Sequence, residues 1–346
     1  MNAATTDATH AVILELEGVV TVGLFGGGER EVAVIRRQLG PLAVVHDRAP
    51  DLVIEFVDRL PDDGTLTALG REAAYGEEGL VIRRGRRKAD VRVRIPLERL
   101  GERPVTITAE RGLPAIPYLI PIVGITALAR GVVPVHASAF VHEDRGVLVT
   151  GWAKGGKTEA LLAFAERGAT YVGDEWVFVS GDGRSMTGLP EPMRVWDWQL
   201  DQVPSLRARV GAGARARLRA AAGTTRALRT GAGLPAVRAS AAGDAARRLG
   251  EIADRQRSIQ VPPAQAFDGR VARGPVPLDA IVLIESTLGG EPSVGPLDAA
   301  SLAGRVAAMV VHEWLDLGAL LLAHRYAFPD RSVPRLEWIE GQLEAA

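Results

Sequence analysis

The sequence predicts an α/β protein whose N-terminal part is β-rich (α+β), and three observations carry that expectation. Short runs of alternating apolar and polar residues, broken by turn residues, fill the chain from His10 to about Gly112. An apolar strand, a glycine-rich loop and a helical stretch then follow one another over residues 147–167. With 346 residues, 47% of them apolar, the chain is long enough for two domains. The expected boundary gives a β-rich domain over 1–113 and a second domain over 114–346.

In the first domain, "AVILELEGVVTVGLFG", "DLVIEFVD", "GLVIRRG", "ADVRVRI" and "PVTITAERG" read as strands, and the last two alternate as a sheet with one wetted face does. "REVAVIRRQLG" (30–40) reads as a helix ended by Gly40. No chemical motif falls in this part, which reads as a scaffold or an oligomerisation module. The apolar stretch 115–135 is interrupted by Pro117, Pro121, Arg130 and Pro134, so it predicts a buried helix and a strand in place of a membrane span. Two apolar strands follow, "VVPVHASAFVH" and "GVLVTG", joined by "EDRG"; then come a helix over 157–167 closed by Gly168 and a strand "TYVGDEWVFVS".

Residues 205–250 shift to Ala, Arg and Gly, with ten arginines and the single acid Asp244. One reading is a solvated, weakly helical or mobile insertion; the other is an arginine-lined lid over phosphates or an acidic partner. "VPLDAIVLIES" (276–286) returns as a strand, and "AASLAGRVAAMVVHEWLDLGALLLAHRYA" gives one or two amphipathic helices.

Net charge is −1 with a sequence pI near 6.6, so no global field draws the chain to nucleic acid or an anionic membrane. The chain has no cysteine, which removes disulfides, thiolate metal sites and cysteine nucleophiles. "MNAATTDATH" lacks the basic-then-apolar pattern of a signal peptide, and the expected location is cytoplasmic.

Gly151, Gly156, Lys157 and Thr158 match G-x-x-x-x-G-K-[ST] in the strand–loop–helix context that gives this motif its meaning. Glycines let backbone N–H groups of residues 151–159 (Gly151, Trp152, Ala153, Lys154, Gly155, Gly156, Lys157, Thr158, Glu159) turn inward on phosphate oxygens, and the helix N-terminus faces the same anion. The chain has only three lysines, Lys88, Lys154 and Lys157, so two of them lie in this loop. Lys157 supplies a compact point charge for β- and γ-phosphates, and the Thr158 hydroxyl is placed for Mg²⁺. ATP and Mg²⁺ are therefore the expected cofactors. Asp174 and Glu175, read as neighbours on an extended strand, would point to opposite sides, one to the metal and one to an incoming hydroxyl. His136 lies on the strand before the loop's strand.

The segment from Val135 to Val177 resembles the catalytic domain of HPr kinase/phosphorylase and HPr-kinase-like proteins. The likeness rests on Val135-His136-Ala137, on Gly151 to Glu159, on Arg167-Gly168 and on Val172-Gly173-Asp174-Glu175. His136 stands 22 residues before Thr158 and Glu175 17 after it, which fits the family without a gap. The resemblance implies a P-loop kinase domain of the HPr kinase / PEP carboxykinase-like type. It also implies that Glu175 is the general base, Asp174 its partner at Mg²⁺, His136 a neighbour of the γ-phosphate and Lys157 the phosphate clamp. Glu stands at 175 where the family carries Asp. Glu191 is the nearest counterpart of a downstream metal-binding glutamate, and Arg255, Arg257, Arg270 and Arg273 compete for the place of a catalytic arginine. The C-terminal signature that accompanies phosphorylase activity does not appear.

The expected function is transfer of the ATP γ-phosphate to a hydroxyl, first a serine of a peptide or small protein, second a small-molecule alcohol. A non-catalytic ATP-binding sensor or adaptor and a P-loop hydrolase are the rivals. The family also implies a homo-oligomer; no nucleic acid or membrane partner is expected.

Overall fold

The structure, a computed structural model, describes residues 11–61, 66–68, 73–76, 79–84, 91–233, 244, 249–250, 257–287, 289, 291 and 293–345. It is a mixed α/β protein that divides into two compact units. The first comprises 1–157, 172–191 and 272–346, the second 158–171 and 192–271. The boundary expected at 113/114 falls inside the first unit.

Within the first unit, all nine strands of one sheet come from residues 12–110. The apolar run at 11–26 folds back on itself at Gly18, whose φ of +74° suits glycine. The result is an antiparallel hairpin of β1 (Val12–Leu16) and β2 (Val20–Phe25). Helix α1 (Glu29–Leu39) begins with Glu29 and Glu31 and ends with Arg36 and Arg37, each pair suited to its end of the helix dipole. Strands β3 (Ala43–Val45), β4 (Leu52–Val57), β5 (Thr67–Ala68), β6 (Ala73–Gly76), β7 (Gly79–Arg84), β8 (Val91–Ile95) and β9 (Val105–Glu110) complete the order β3-β1-β2-β4-β9-β8-β7-β6-β5. The β2–β4 and β4–β9 pairs are parallel, and β6 to β9 form an antiparallel meander.

Helix α2 (Leu119–Leu128) is apolar all round and almost wholly buried, which is why its sequence shows no amphipathic period. The second sheet of this unit is built around β10 (Val133–His142) and β11 (Arg145–Gly151), an antiparallel pair turned at Glu143-Asp144. Outside β11 lies β18 (Ala280–Ile284), in parallel; outside β10 lie β13 (Trp176–Val179), β14 (Ser185–Gly188) and β17 (Val276–Pro277). Strand β12 (Thr170–Gly173) also pairs with β10.

The C-terminal stretch forms two helices, α8 (Ala299–Glu313) and α9 (Leu315–Ala327), bent by 70° at Trp314, and then α10 (Leu336–Ala345). Ala307, Val310, Trp314, Leu317 and Leu321 enter the same core as α2, where the Trp314 ring lies against Gly124. Among the described residues no single helix is long and apolar enough to cross a membrane.

The second unit holds most of α3 (Lys157–Ala165) and a two-stranded ribbon of β15 (Met193–Trp196) and β16 (Ser258–Val261). It also holds α4 (Asp197–Gln202), α5 (Pro204–Arg209), α6 (Ala212–Gly233) and the single turn α7 (Pro263–Ala266). Where the sequence allowed a weakly helical or mobile insertion, α6 runs for 22 residues. Ala and Arg are good helix formers, and Leu218, Ala221 and Thr225 recur at helical spacing on a buried face. The rest of the expected insertion, residues 234–250, lies largely outside the described residues.

Candidate functional site

The G-x-x-x-x-G-K-T segment lies between the end of β11 and the start of α3. Gly151 pairs in register with Ile284 of β18; a Cβ there would stand 2.4 Å from the Ile284 carbonyl oxygen, and its φ is +153°. Only glycine leaves the strand here. The loop then tightens. The Gly155 N–H donates to the Trp152 carbonyl at 2.9 Å, Lys154 takes a left-handed φ of +63°, and Gly156 sits at +105°. Lys157 is buried, its Nζ donating to the carbonyls of Gly151 (2.7 Å) and Trp152 (3.2 Å), so the loop closes around one ammonium. Ala153 and Lys154 are exposed. Thr158 and Glu159 belong to the second unit, where Glu159 accepts a 2.9 Å bond from Gln199.

Beside the loop, Trp152 is half exposed and stacks on His312, ring centroids 4.6 Å apart. An open cavity of about 430 Å³ lies here, walled by Trp152, Gly155, Ile284, Ala308 and Met309, with the Arg305–Glu285 ion pair among its lining.

Asp174 and Glu175 do not lie on an extended strand as the sequence suggested. The chain breaks there between β12 and β13: Trp176 N–H donates to the Asp174 carbonyl at 2.9 Å, and Glu175 takes φ +69°. A non-glycine residue held in that region is costly unless its surroundings fix it. Here they do, because the Glu175 carbonyl accepts from Ala137 N–H at 3.1 Å and its carboxylate meets His136 Nε2 at 2.8 Å. Asp174 is buried and accepts a 2.5 Å bond from the Ser138 hydroxyl. His136 and Ser138, two residues apart on β10, present to one face of the sheet, so one strand holds both acids of the pair.

The other nitrogen of His136, Nδ1, faces Glu313 at 3.3 Å, from the last turn of α8. A neutral imidazole has one N–H, so both contacts are hydrogen bonds together only if the ring carries two protons or one carboxyl carries one. The ring stacks toward Trp176 (5.6 Å) and Trp176 toward Trp314 (5.9 Å), which walls this side in aromatic surface.

Glu191 joins the acids. Burial first, and then the charges of Glu175 and Asp174, push its carboxyl up to about 8, and its Oε1 is buried without a partner. Three carboxyl groups thus act on one another at this site. Among the described residues no group of three or more His, Cys, Asp or Glu side chains is placed to hold a metal ion. Mg²⁺ does not need one: it is usually held by one or two carboxylates together with substrate phosphates.

In the first unit the structure therefore brings together His136, Asp174, Glu175 and Glu191, and separately folds the loop on Lys157. Arg257 is committed to Asp197 (3.0 Å) and Arg270 to the Ala165 and Ala169 carbonyls, both within the second unit. Arg273 is exposed in the first unit, and Arg255 lies outside the described residues. Sequence reasoning missed Ser138 and Glu313. The period-2 spacing from His136 marks Ser138; nothing in the sequence marks Glu313. No family model matches the chain, and a search of curated proteins found no match to it.

Proposed function

We propose that this protein is an ATP- and Mg²⁺-dependent phosphotransferase acting on a hydroxyl, with a P-loop kinase domain of the HPr kinase / PEP carboxykinase-like type. The observation that carries the reading is the acid cluster at Asp174, Glu175 and Glu191 in a chain that also closes a glycine loop on Lys157. Each half alone is common. Like charges gathered with an orphaned carboxyl oxygen are what a cation would relieve, and loop carbonyls now bonded to the lysine are replaceable by phosphate oxygens.

In this reading the triphosphate lies along the loop, with the Lys157 ammonium on the β- and γ-phosphates and the base in the Trp152 cavity. Asp174 and Glu191 would hold Mg²⁺, which when bound would neutralise charge on the phosphate oxygens. The acceptor oxygen attacks the γ-phosphorus, the bond to the bridging oxygen breaks and ADP leaves, while the hydroxyl proton passes to the Glu175 carboxylate. His136, anchored by Glu313, aims that carboxylate. The additional methylene of Glu over Asp lets it reach the ring from a left-handed backbone. The acceptor is first a serine of a peptide or small protein, and second a small-molecule alcohol. The reaction needs ATP, and the cytoplasm supplies it.

A non-catalytic ATP sensor is the second reading, favoured by the engagement of Glu175 Oε2 with His136 and by two candidate arginines committed elsewhere. The deciding experiment incubates γ-labelled ATP and Mg²⁺ with the protein and an extract of its source, wild type beside Glu175→Gln. Label on a separable peptide or metabolite with wild type only is the expected result. ATP binding without transfer in either protein would establish the sensor.

A further inference from the structure

The second unit carries a cationic groove that the phosphotransfer reading does not use. Helix α6 places Arg215, Arg219 and Arg226 beside a cavity of about 300 Å³, completed by Arg207 of α5 and by Asp197 and Asp201 of α4. At roughly 100° per residue, positions 215, 219, 222 and 226 fall within an arc of about 60°, so the three guanidiniums form one stripe. Ala222 and Gly223, small residues between them, keep the groove open. Leu200 and Leu218 give it an apolar floor.

The charges do not cancel. Asp197 is taken by Arg257 in a two-pronged pair (Nη2 3.0 Å, Nε 3.2 Å), and Asp201 is paired with Arg207 at 3.2 Å. Arg215 donates to the backbone carbonyls of Arg207 and Val210, which fixes its guanidinium without neutralising it. Arg219 and Arg226 are exposed and meet no carboxylate among the described residues. Three positive charges therefore face one groove whose two acids, Asp197 and Asp201, are paired with other arginines, with no further carboxylate beside them among the described residues.

Their spacing selects the ligand. From 215 to 226 the helix rises roughly 16 Å, too long for one phosphate and about the length of five residues of extended peptide. We propose that this groove binds an acidic peptide segment, with two or three Asp or Glu side chains on the arginine stripe and one apolar side chain on Leu200 and Leu218. Guanidinium forks match carboxylates two oxygens at a time, which favours this partner over a diffuse counter-ion cloud. The proposal concerns binding alone and stands whether or not phosphate is transferred.

The test measures fluorescence anisotropy of a labelled 12-residue peptide rich in Glu with one central Leu, titrated with the full-length protein. The variants are Arg219→Glu/Arg226→Glu and Arg217→Glu; all three positions are exposed, and Arg217 lies on the far side of α6 from the stripe. We expect saturable binding, weakened about tenfold or more in the double variant and unchanged in Arg217→Glu. Replacing the peptide's Glu residues by Lys should abolish it. Equal loss in Arg217→Glu would reduce the effect to overall charge and overturn the proposal. So would absence of binding, displacement by millimolar inorganic phosphate, or tighter binding of single-stranded DNA through the same arginines. Circular dichroism of each variant separates these outcomes from misfolding.

Discussion

Glu191→Gln should make the protein more stable at alkaline pH. An ordinary glutamate titrates at 4.5, and burial beside Glu175 and Asp174 pushes Glu191 up to about 8. The folded chain therefore holds this proton more tightly than the unfolded chain. Its contribution to stability is fully present below pH 4.5 and is lost as pH rises through 8. At about 1.4 kcal/mol per pH unit, the loss reaches about 3 kcal/mol by pH 7 and about 5 kcal/mol above pH 8. Glutamine keeps the shape and neutrality of the protonated acid and does not titrate. The difference between variant and wild type should thus be near zero at pH 4.5 to 5 and grow to several kcal/mol at pH 9. Guanidinium denaturation followed by tryptophan fluorescence reads this directly, because Trp176 and Trp314 lie by the same cluster. A difference that does not change with pH would refute the reasoning and remove Glu191 from the acid cluster.

At pH 7 a carboxyl titrating at about 8 is about nine-tenths protonated. Binding of Mg²⁺ with a non-hydrolysable ATP analogue should therefore release close to one proton in wild type and none in Glu191→Gln, read by calorimetry in buffers of different ionisation enthalpy. Gly151→Ala would place a methyl 2.4 Å from the Ile284 carbonyl at φ +153°, costing about 1–3 kcal/mol and weakening ATP binding; an unchanged melting temperature would contradict the geometry. Gly124→Ala meets the Trp314 ring at 2.4 Å and should cost a similar 1–3 kcal/mol, about as much as other overpacked cores. Asp51 lies below its ordinary titration range: burial raises it, but hydrogen bonds from Thr21 and Arg130 outweigh burial. Its stabilisation is present above the ordinary value of 3.8 and lost as pH falls, and Asp51→Asn should cost about 3 kcal/mol at pH 7 while flattening the acid limb of the denaturation profile.

The strands and helices that the sequence predicts are largely those the chain forms. Alternation marks β8 and β9, Gly40 stops α1, and the glycine loop stands between β11 and α3 as its spacing requires. Local chemistry decides these features: side-chain period, glycine freedom and helix ends act over a few residues. Two expectations were recast. "TYVGDEWVFVS" reads as one strand but turns at Asp174-Glu175, because the Glu175 backbone is bound to Ala137 of β10. The Arg/Ala/Gly stretch reads as solvated, yet Leu218, Ala221 and Thr225 bury one face of α6.

His136, Lys157, Asp174 and Glu175 were nameable from sequence because each belongs to a short pattern. Glu313 was not: it reaches His136 only because α8 ends against β10, 177 positions along the chain. Nor could any pattern show that Glu191 would be buried with two other acids, or that Asp197 would be spent on Arg257 and leave the arginine stripe uncompensated. The sequence by itself determined which groups are capable of chemistry. Tertiary structure decided which of them meet, since burial and the sum of neighbouring charges depend on sheet order and helix packing between residues far apart in the chain.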